Sequence, residues 1–324
     1  MSQVMQGEGL VGLTEIESAA RRLAGVAIPT PLILADSVSE AVDAQVRVKY
    51  ENLQRTGSFK IRGAYNFVSQ LSDEQAAPGV ITYSSGNMAQ AVALAGKLRG
   101  IRAVVVMPVN APKIKRDGAE RLGAEIVFEG TTSVERKERA EEIAKAEGLA
   151  VIPPSDHRHI IAGQGTVGLE IARDWPDLDM VLVPVGAGGL AAGVAAAVKR
   201  IQPKARVIGV EPEGAASMRL ALDNGSPKLL PEVNTIADGL RVVIAGQLTF
   251  EHAHELMDDV VTVSEDAIRR ATAQLINRQK VVVEFSGATA VAGLLAGKVE
   301  AEGRRVAVVV SGGNIDPSAL AELL

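Results

Sequence analysis

Apolar strand-like runs alternate with amphipathic helix-like runs along most of this chain, from residue 46 onward. That alternation predicts an α/β protein in which a parallel sheet is wrapped by helices. Turns of small and polar residues follow Tyr83, Val185 and Val310, each at the end of a strand-like run. Open α/β sheets bind ligands at the carboxyl ends of their strands, so these turns belong around one cleft. Residues 74–148 also make a βαβαβα unit of their own, which reads as a small domain inserted into a larger one.

Taken in order, residues 1–13 look frayed. Residues 14–23 have a helical period, with Thr14 and Glu17 in a capping-box pattern. Residues 28–32 are extended by their prolines, and 46–50 alternate as a strand does. A helix is expected at about 61–71. Strands at 79–83, 103–107 and 125–128 then alternate with helices at 88–98, 113–122 and 133–147. Residues 150–152 lead into Pro153 and Pro154. A helix at 166–174, a buried strand at 180–185, a helix at 191–201 and a strand at 205–210 follow. Beyond Pro212 the pattern predicts a short helix near 217–222, an irregular loop and a helix at 250–257. A strand at 260–263, helices at 265–278 and 288–301, and a last strand at 305–310 complete it.

Composition narrows the function. At 324 residues, 47% of them hydrophobic, the chain can build two cores. A net charge of −5 and 3% aromatic residues give no footing for nucleic acid. The absence of cysteine removes disulfides, thiolate metal sites and cysteine nucleophiles. No apolar run is long enough to span a membrane, and residues 1–9 lack the order of a signal peptide. The expectation is a soluble cytoplasmic protein with no membrane or nucleic-acid partner.

The stretch 56–64, Thr-Gly-Ser-Phe-Lys-Ile-Arg-Gly-Ala, sets Lys60 among small residues. A lysine that does covalent chemistry must lose its proton near neutral pH, which partial burial beside a cation such as Arg62 promotes. Taken alone, Lys60 reads as one more solvated lysine. The loop Gly186-Ala187-Gly188-Gly189-Leu190 follows a strand and opens a helix, as a phosphate cradle does. Gly186, Gly188 and Ala191 with Glu211 also fit a dinucleotide fingerprint, and a merely tight turn is the third reading. Ser84-Ser85-Gly86-Asn87-Met88-Ala89-Gln90 is a polar strand-to-helix turn that simple capping would explain equally well.

With Ser311-Gly312-Gly313-Asn314, these motifs together resemble the fold-type II pyridoxal-phosphate (PLP) enzymes, specifically the serine/threonine dehydratase and serine racemase group. The likeness runs from Thr30-Pro31-Leu32 to Asp316. It implies two open parallel-sheet α/β domains of the tryptophan synthase β type, with the cofactor in the cleft between them. The large domain would be 1–73 and 149–324, and the small one 74–148. Lys60 would hold PLP as a Schiff base and later act as general base, with Phe59 beside the ring. The backbone of Gly186, Ala187, Gly188, Gly189 and Leu190 would take the phosphate, and Asn87 the ring hydroxyl. The loops around Gly239 and Glu284 would flank the cofactor, and the Ser311 hydroxyl would meet the pyridine nitrogen. A neutral partner there favours expulsion of a β-substituent over transamination.

The resemblance gives the substrate to Ser84, Ser85, Asn87, Met88, Gln90 and Arg136. Met88 departs from the usual histidine, and Phe285-Ser286 from the usual Pro-Ala; both are expected to bear on the pocket. Arg136 falls where racemases place an arginine for the carboxylate, against the blander reading of a charge on a solvated helix. Ser85 would protonate the opposite face and so racemise. No metal is assigned: Glu211, Ala215 and Ser217 overlie a cation site of relatives, but Ser217 replaces an expected aspartate, and the two His-x-His pairs at 157/159 and 252/254 lack a completing carboxylate. The implied activity is β-elimination of a β-hydroxy amino acid such as L-threonine or L-serine to a 2-oxo acid and ammonia. An amino-acid racemase is the alternative within the family. An NAD-linked oxidoreductase and a non-catalytic amino-acid-binding protein are the rivals from other classes. A homodimer or homotetramer is implied, and the chain's end soon after Asp316 implies no C-terminal regulatory domain.

Overall fold

The computed structural model describes residues 9–84 and 86–323. The expectation for residues 1–8 and the roles given to Ser85 lie outside the described residues. The strands are Leu32–Leu34 (β1), Gln45–Tyr50 (β2), Val80–Tyr83 (β3), Ala103–Met107 (β4), Glu125–Phe128 (β5), Ala150–Val151 (β6), Met180–Pro184 (β7), Arg206–Pro212 (β8), Asp259–Val263 (β9) and Arg305–Val310 (β10). They form a six-stranded sheet in the order β1-β2-β10-β7-β8-β9 and a four-stranded sheet in the order β5-β4-β3-β6. All pairings are parallel except β1 with β2.

Residue type explains which strands lie inside. Every residue of β7 and β4 is buried, as expected of parallel strands covered on both faces. The period of two then sorts the side chains. Met180, Leu182, Val306 and Val308 pack with Ala288, Val291 and Leu294 of the helix Phe285–Leu295. Val181, Val183, Ala307 and Val309 pack on the other face with Val167 and Ile171 of the helix Arg158–Asp174 and Val194 of the helix Gly189–Ile201. In the smaller sheet, Ile81, Val104 and Val106 meet Ala140 and Ile143 of the helix Ser133–Glu147.

The helix Lys60–Val68 joins the two bodies. Its Ile61, Ala64 and Phe67 share a core with Met88, Ala91 and Val92 of the helix Asn87–Arg99, and with Ile160 of Arg158–Asp174.

Several elements differ from expectation. The long helix starts at Arg158, not 166, because glycines conceal its period. Those glycines let helices touch: a Cβ on Gly163 would lie 2.5 Å from the Arg62 carbonyl, and one on Gly168 2.7 Å from the Val194 carbonyl. The first helix begins at Leu13, and the Gly12 N–H donates to Glu15 at 2.8 Å, while Glu17 pairs with Arg173 instead of completing a box with Thr14. The helix expected at 288–301 spans Phe285–Leu295 and closes near Gly297, whose φ is +66°. The helix Asp36–Val42 and the edge strand β1 were not anticipated, both being too short to show a period. Finally, β6 completes the smaller sheet from beyond residue 148. Among the described residues no helix is long and apolar enough to cross a membrane.

Candidate active site

After β2 the chain makes two short turns, and the segment before Lys60 is sewn to the loop after β10. Phe59 N–H donates to the Ser311 carbonyl at 3.1 Å, and Ser58 bridges Gly312. Lys60 then opens its helix. Its Nζ donates to the Pro154 carbonyl at 2.8 Å and stands 5.1 Å from the centre of the Phe59 ring. Burial pushes the Lys60 amine down to about 8, against the opposing pull of Glu284. The side chain still lines an open cleft, so a reactant can reach it.

The cation expected to help lower that basicity does something else. Arg62 is buried and faces away from the cleft. Its guanidinium grips Glu51 with two bonds of 2.8 Å, and Glu170 with bonds of 2.6 and 3.0 Å. Lys49 adds a bond of 2.6 Å to Glu170. Burial alone would raise Glu51, but Arg62, Thr30 and Lys49 hold it below the usual carboxylate range. Arg62 therefore anchors the lysine helix, and the shift at Lys60 comes from burial.

The cleft between the two sheets brings together Phe59, Lys60, Ser84, Asn87, Met88, Arg136, Gly186, Ala187, Gly188, Gly189, Leu190, Gly239, Glu284 and Ser311. Gly188 has φ of +90° and precedes the helix Gly189–Ile201, whose N-terminus suits an anion. Among the described residues, no protein group accepts the N–H of Gly186, Ala187 or Gly188. Such a run of unmatched donors fits a phosphate. Asn87 donates to Glu284 at 2.6 Å and accepts from Asn314 at 2.9 Å, which fixes its amide at the cleft wall. Ser84 Oγ accepts the Gly86 N–H at 3.1 Å.

Lys115 and Asp238 also line this cleft; Asp238 belongs to the loop around Gly239 that the resemblance set beside the cofactor, whereas Lys115 had no expected role. Lys115 Nζ lies 2.5 Å from Asp238 and 2.9 Å from Glu284. The two carboxylates keep that amine charged despite burial, while burial pushes Glu284 up. Nothing local marks Lys115, one of several charges in the polar helix Lys113–Arg121.

Arg136 is the sharper finding. It is 7% exposed, so the solvated-helix reading fails, and its Nε and Nη1 have no partner among the described residues. Burial pushes its basicity down. Two other substrate candidates are less central. Met88 lines the cleft but is otherwise core, whereas Gln90 lies outside the lining, its side chain crowding Gly118. Phe285 also points away, packing on the large core with Arg269 over its ring at 5.5 Å. Its neighbour Ser286 does line the cleft and accepts the Gly239 N–H at 2.8 Å.

The remaining candidates are structural. Glu211 accepts from the N–H groups of Met218 and Arg219, both at 2.8 Å, capping the helix Ser217–Asn224. Burial pushes Glu211 up to about 8. His157 and His159 pack against Phe67 with centroids 4.7 and 5.7 Å away. Buried His252 accepts the Val11 N–H at 2.9 Å.

A lysine of lowered basicity beside a phosphate-ready glycine loop, between two parallel sheets, defines the class as a pyridoxal-phosphate enzyme. The family model for pyridoxal-phosphate dependent enzymes matches residues 23–312, and the chain belongs to that family. It is 44% identical over 315 residues to an L-threonine dehydratase catabolic TdcB of Escherichia coli, covering 97% of this chain and 96% of that protein. It is 43% identical over 307 residues to an L-threonine ammonia-lyase of Thermotoga maritima, covering 95% of this chain and 76% of that one. Among solved structures, maize serine racemase superposes with a TM-score of 0.93 at 38% identity, covering 97% of each chain. A tomato (Solanum lycopersicum) threonine deaminase isoform 2 superposes with a TM-score of 0.89 at 40% identity, covering 97% of this chain and 94% of that one.

Proposed function

We propose that this protein is a PLP-dependent ammonia-lyase that converts a β-hydroxy amino acid, L-threonine or L-serine, to a 2-oxo acid and ammonia. The observation that carries the reading is the Lys60 amine, held in the cleft by Pro154 and brought down to about 8 by burial. When bound, PLP supplies the electron sink that makes the Cα–H bond of an amino acid labile. The freed Lys60 amine takes the Cα proton. The N–H groups of 186–190 would hold the phosphate, and Asn87, bonded to Glu284, would stand beside the ring. Ser311 lines the cleft, and its hydroxyl would partner the ring nitrogen without holding a proton there as a carboxylate would, which would favour loss of the β-hydroxyl. The unmatched N–H groups of Arg136 receive the substrate carboxylate.

The smaller sheet and its helices, extended by β6 from residue 148 to residue 151, act as a lid on the body built on the six-stranded sheet, and Lys115 reaches across to Asp238 and Glu284 to close it. Assembly as a homodimer or homotetramer in the cytoplasm rests on the family likeness, and sedimentation with cell fractionation checks it. Racemisation is the second reading, favoured by the buried Arg136.

The test is a substrate panel run on the PLP-loaded protein, reading 2-oxo acid release and the chirality of the remaining amino acid. Oxo acid from L-threonine or L-serine supports the lyase. D-amino acid without oxo acid means a racemase. A yellow protein that does neither is a binding protein, and the proposal fails.

A further inference from the structure

Thr249 is fully buried in the first turn of the helix Gln247–Leu256. Its Oγ1 lies 2.6 Å from the Ala187 carbonyl and 3.1 Å from the Gly246 carbonyl, sharing its hydrogen between them. The Ala187 carbonyl and the Gly188 N–H belong to one planar trans peptide, so they point in opposite directions. Fixing the oxygen on Thr249 therefore turns the Gly188 N–H away from that helix, to the side where Gly188 lines the cleft. The fit leaves no slack: a Cβ on Gly188 would stand 2.9 Å from Thr249 Cβ.

Thr249 is itself placed by Asp156. The Asp156 carboxylate accepts the N–H of Gln247 at 3.1 Å and of Thr249 at 3.0 Å. It thereby caps a helix whose own N-cap residue, Gly246, has no side chain to do so. Asp156 ends a segment that also meets the other pole of the site. The Pro154 carbonyl receives the Lys60 amine, and a Cβ on Gly189 would lie 3.1 Å from the Ser155 carbonyl. One stretch of backbone thus touches the lysine at one end and, through Asp156 and Thr249, orients the glycine loop at the other.

We infer that Thr249, held by Asp156, is a positioning residue for the anionic end of the cofactor, an inference that rests on residues 186–190 being the phosphate seat. Thr249 does not itself line the cleft. It aims the Gly188 N–H, and Asp156 keeps the span between that donor and Lys60 constant.

The experiment titrates the apoprotein with PLP and, separately, with pyridoxal, which lacks the phosphate, following the fluorescence of Trp175. Thr249→Val keeps the shape and loses the hydroxyl. PLP should bind about tenfold more weakly to it, the worth of one buried hydrogen bond, with pyridoxal unchanged. Thr249→Ser should restore PLP binding, and Asp156→Asn should weaken PLP alone by a smaller factor. Should the valine variant not fold, Asp156→Asn decides by the same ratio. Equal weakening of both ligands, or of neither, overturns the inference. Gly188→Ala separates this failure from that of the underlying reading. If wild type prefers PLP and Gly188→Ala loses the preference while Thr249→Val keeps it, only the role of Thr249 falls. If wild type binds pyridoxal as tightly as PLP, the phosphate seat falls with it.

Discussion

Two clusters of buried charge flank Lys60, and they differ in completeness. Behind the lysine helix, Arg62, Lys49, Glu51 and Glu170 balance one another, and the Arg62 guanidinium is gripped by both carboxylates, Thr166 and the Ile28 carbonyl. Facing the cleft, Lys115 is matched by Asp238 and Glu284, but Arg136 keeps two nitrogens without an acceptor among the described residues. Among the described residues Lys60 hydrogen-bonds only a carbonyl. A closed network makes a rigid support, whereas unmatched buried donors cost stability unless a ligand completes them. The first cluster is scaffold and the second is a site, and each can be tested by removing one cation.

The largest effect on folding should come from the closed cluster. Arg62→Met leaves Glu51 buried without its partner and should cost about 3–5 kcal/mol in denaturant unfolding, with or without cofactor. A cost near zero would erase the contrast.

Lys60→Met should do the opposite to the apoprotein. The buried amine sits near 8 and an unfolded lysine at about 10.4, so below pH 8 both states are charged and burial penalises the folded one. Between those values the folded amine loses its proton first, and wild-type stability rises with pH. The variant should therefore be more stable at pH 7, by on the order of 2–3 kcal/mol, and lose that advantage as pH climbs past 8 toward 10. An advantage that grows with pH would refute the burial account.

Arg136→Met sharpens the comparison from the other side. Removing an unmatched guanidinium should leave stability unchanged or raise it by about 1 kcal/mol, while the KM for the amino acid rises by about ten- to a hundredfold. Parallel losses in stability and KM would mean that Arg136 is scaffold as well. The smallest effect is expected of Met88→Leu. A swap of similar volume should cost less than about 1.5 kcal/mol in stability and shift the threonine-to-serine preference only a few-fold, as the substrate panel would read.

What was legible beforehand follows the range of the interactions. The buried runs of β4, β7 and β10 write their roles into neighbouring residues, whereas the turn at 186–190 and the Lys60 stretch take theirs from the motifs read together as a family resemblance. Arg136 was harder, because the helix Ser133–Glu147 is charged on nearly every side and its period does not show which charge is buried. Phe285 misled for a related reason. A residue at the first turn of a helix can face either the cleft or the core, and here it packs on the core.

By itself the sequence determined the alternation of strands and helices, since hydrophobic period and turn chemistry act over a few residues, while Lys60 and the glycine loop stood out only through the set of motifs that together resemble a known family. The tertiary structure alone decided that Lys115 meets Asp238 and Glu284, that Arg62 turns to Glu51 and Glu170, and that Thr249 stands behind Ala187. Those pairs are made by segments distant along the chain, and no local pattern tells a charge which partner the fold will bring to it.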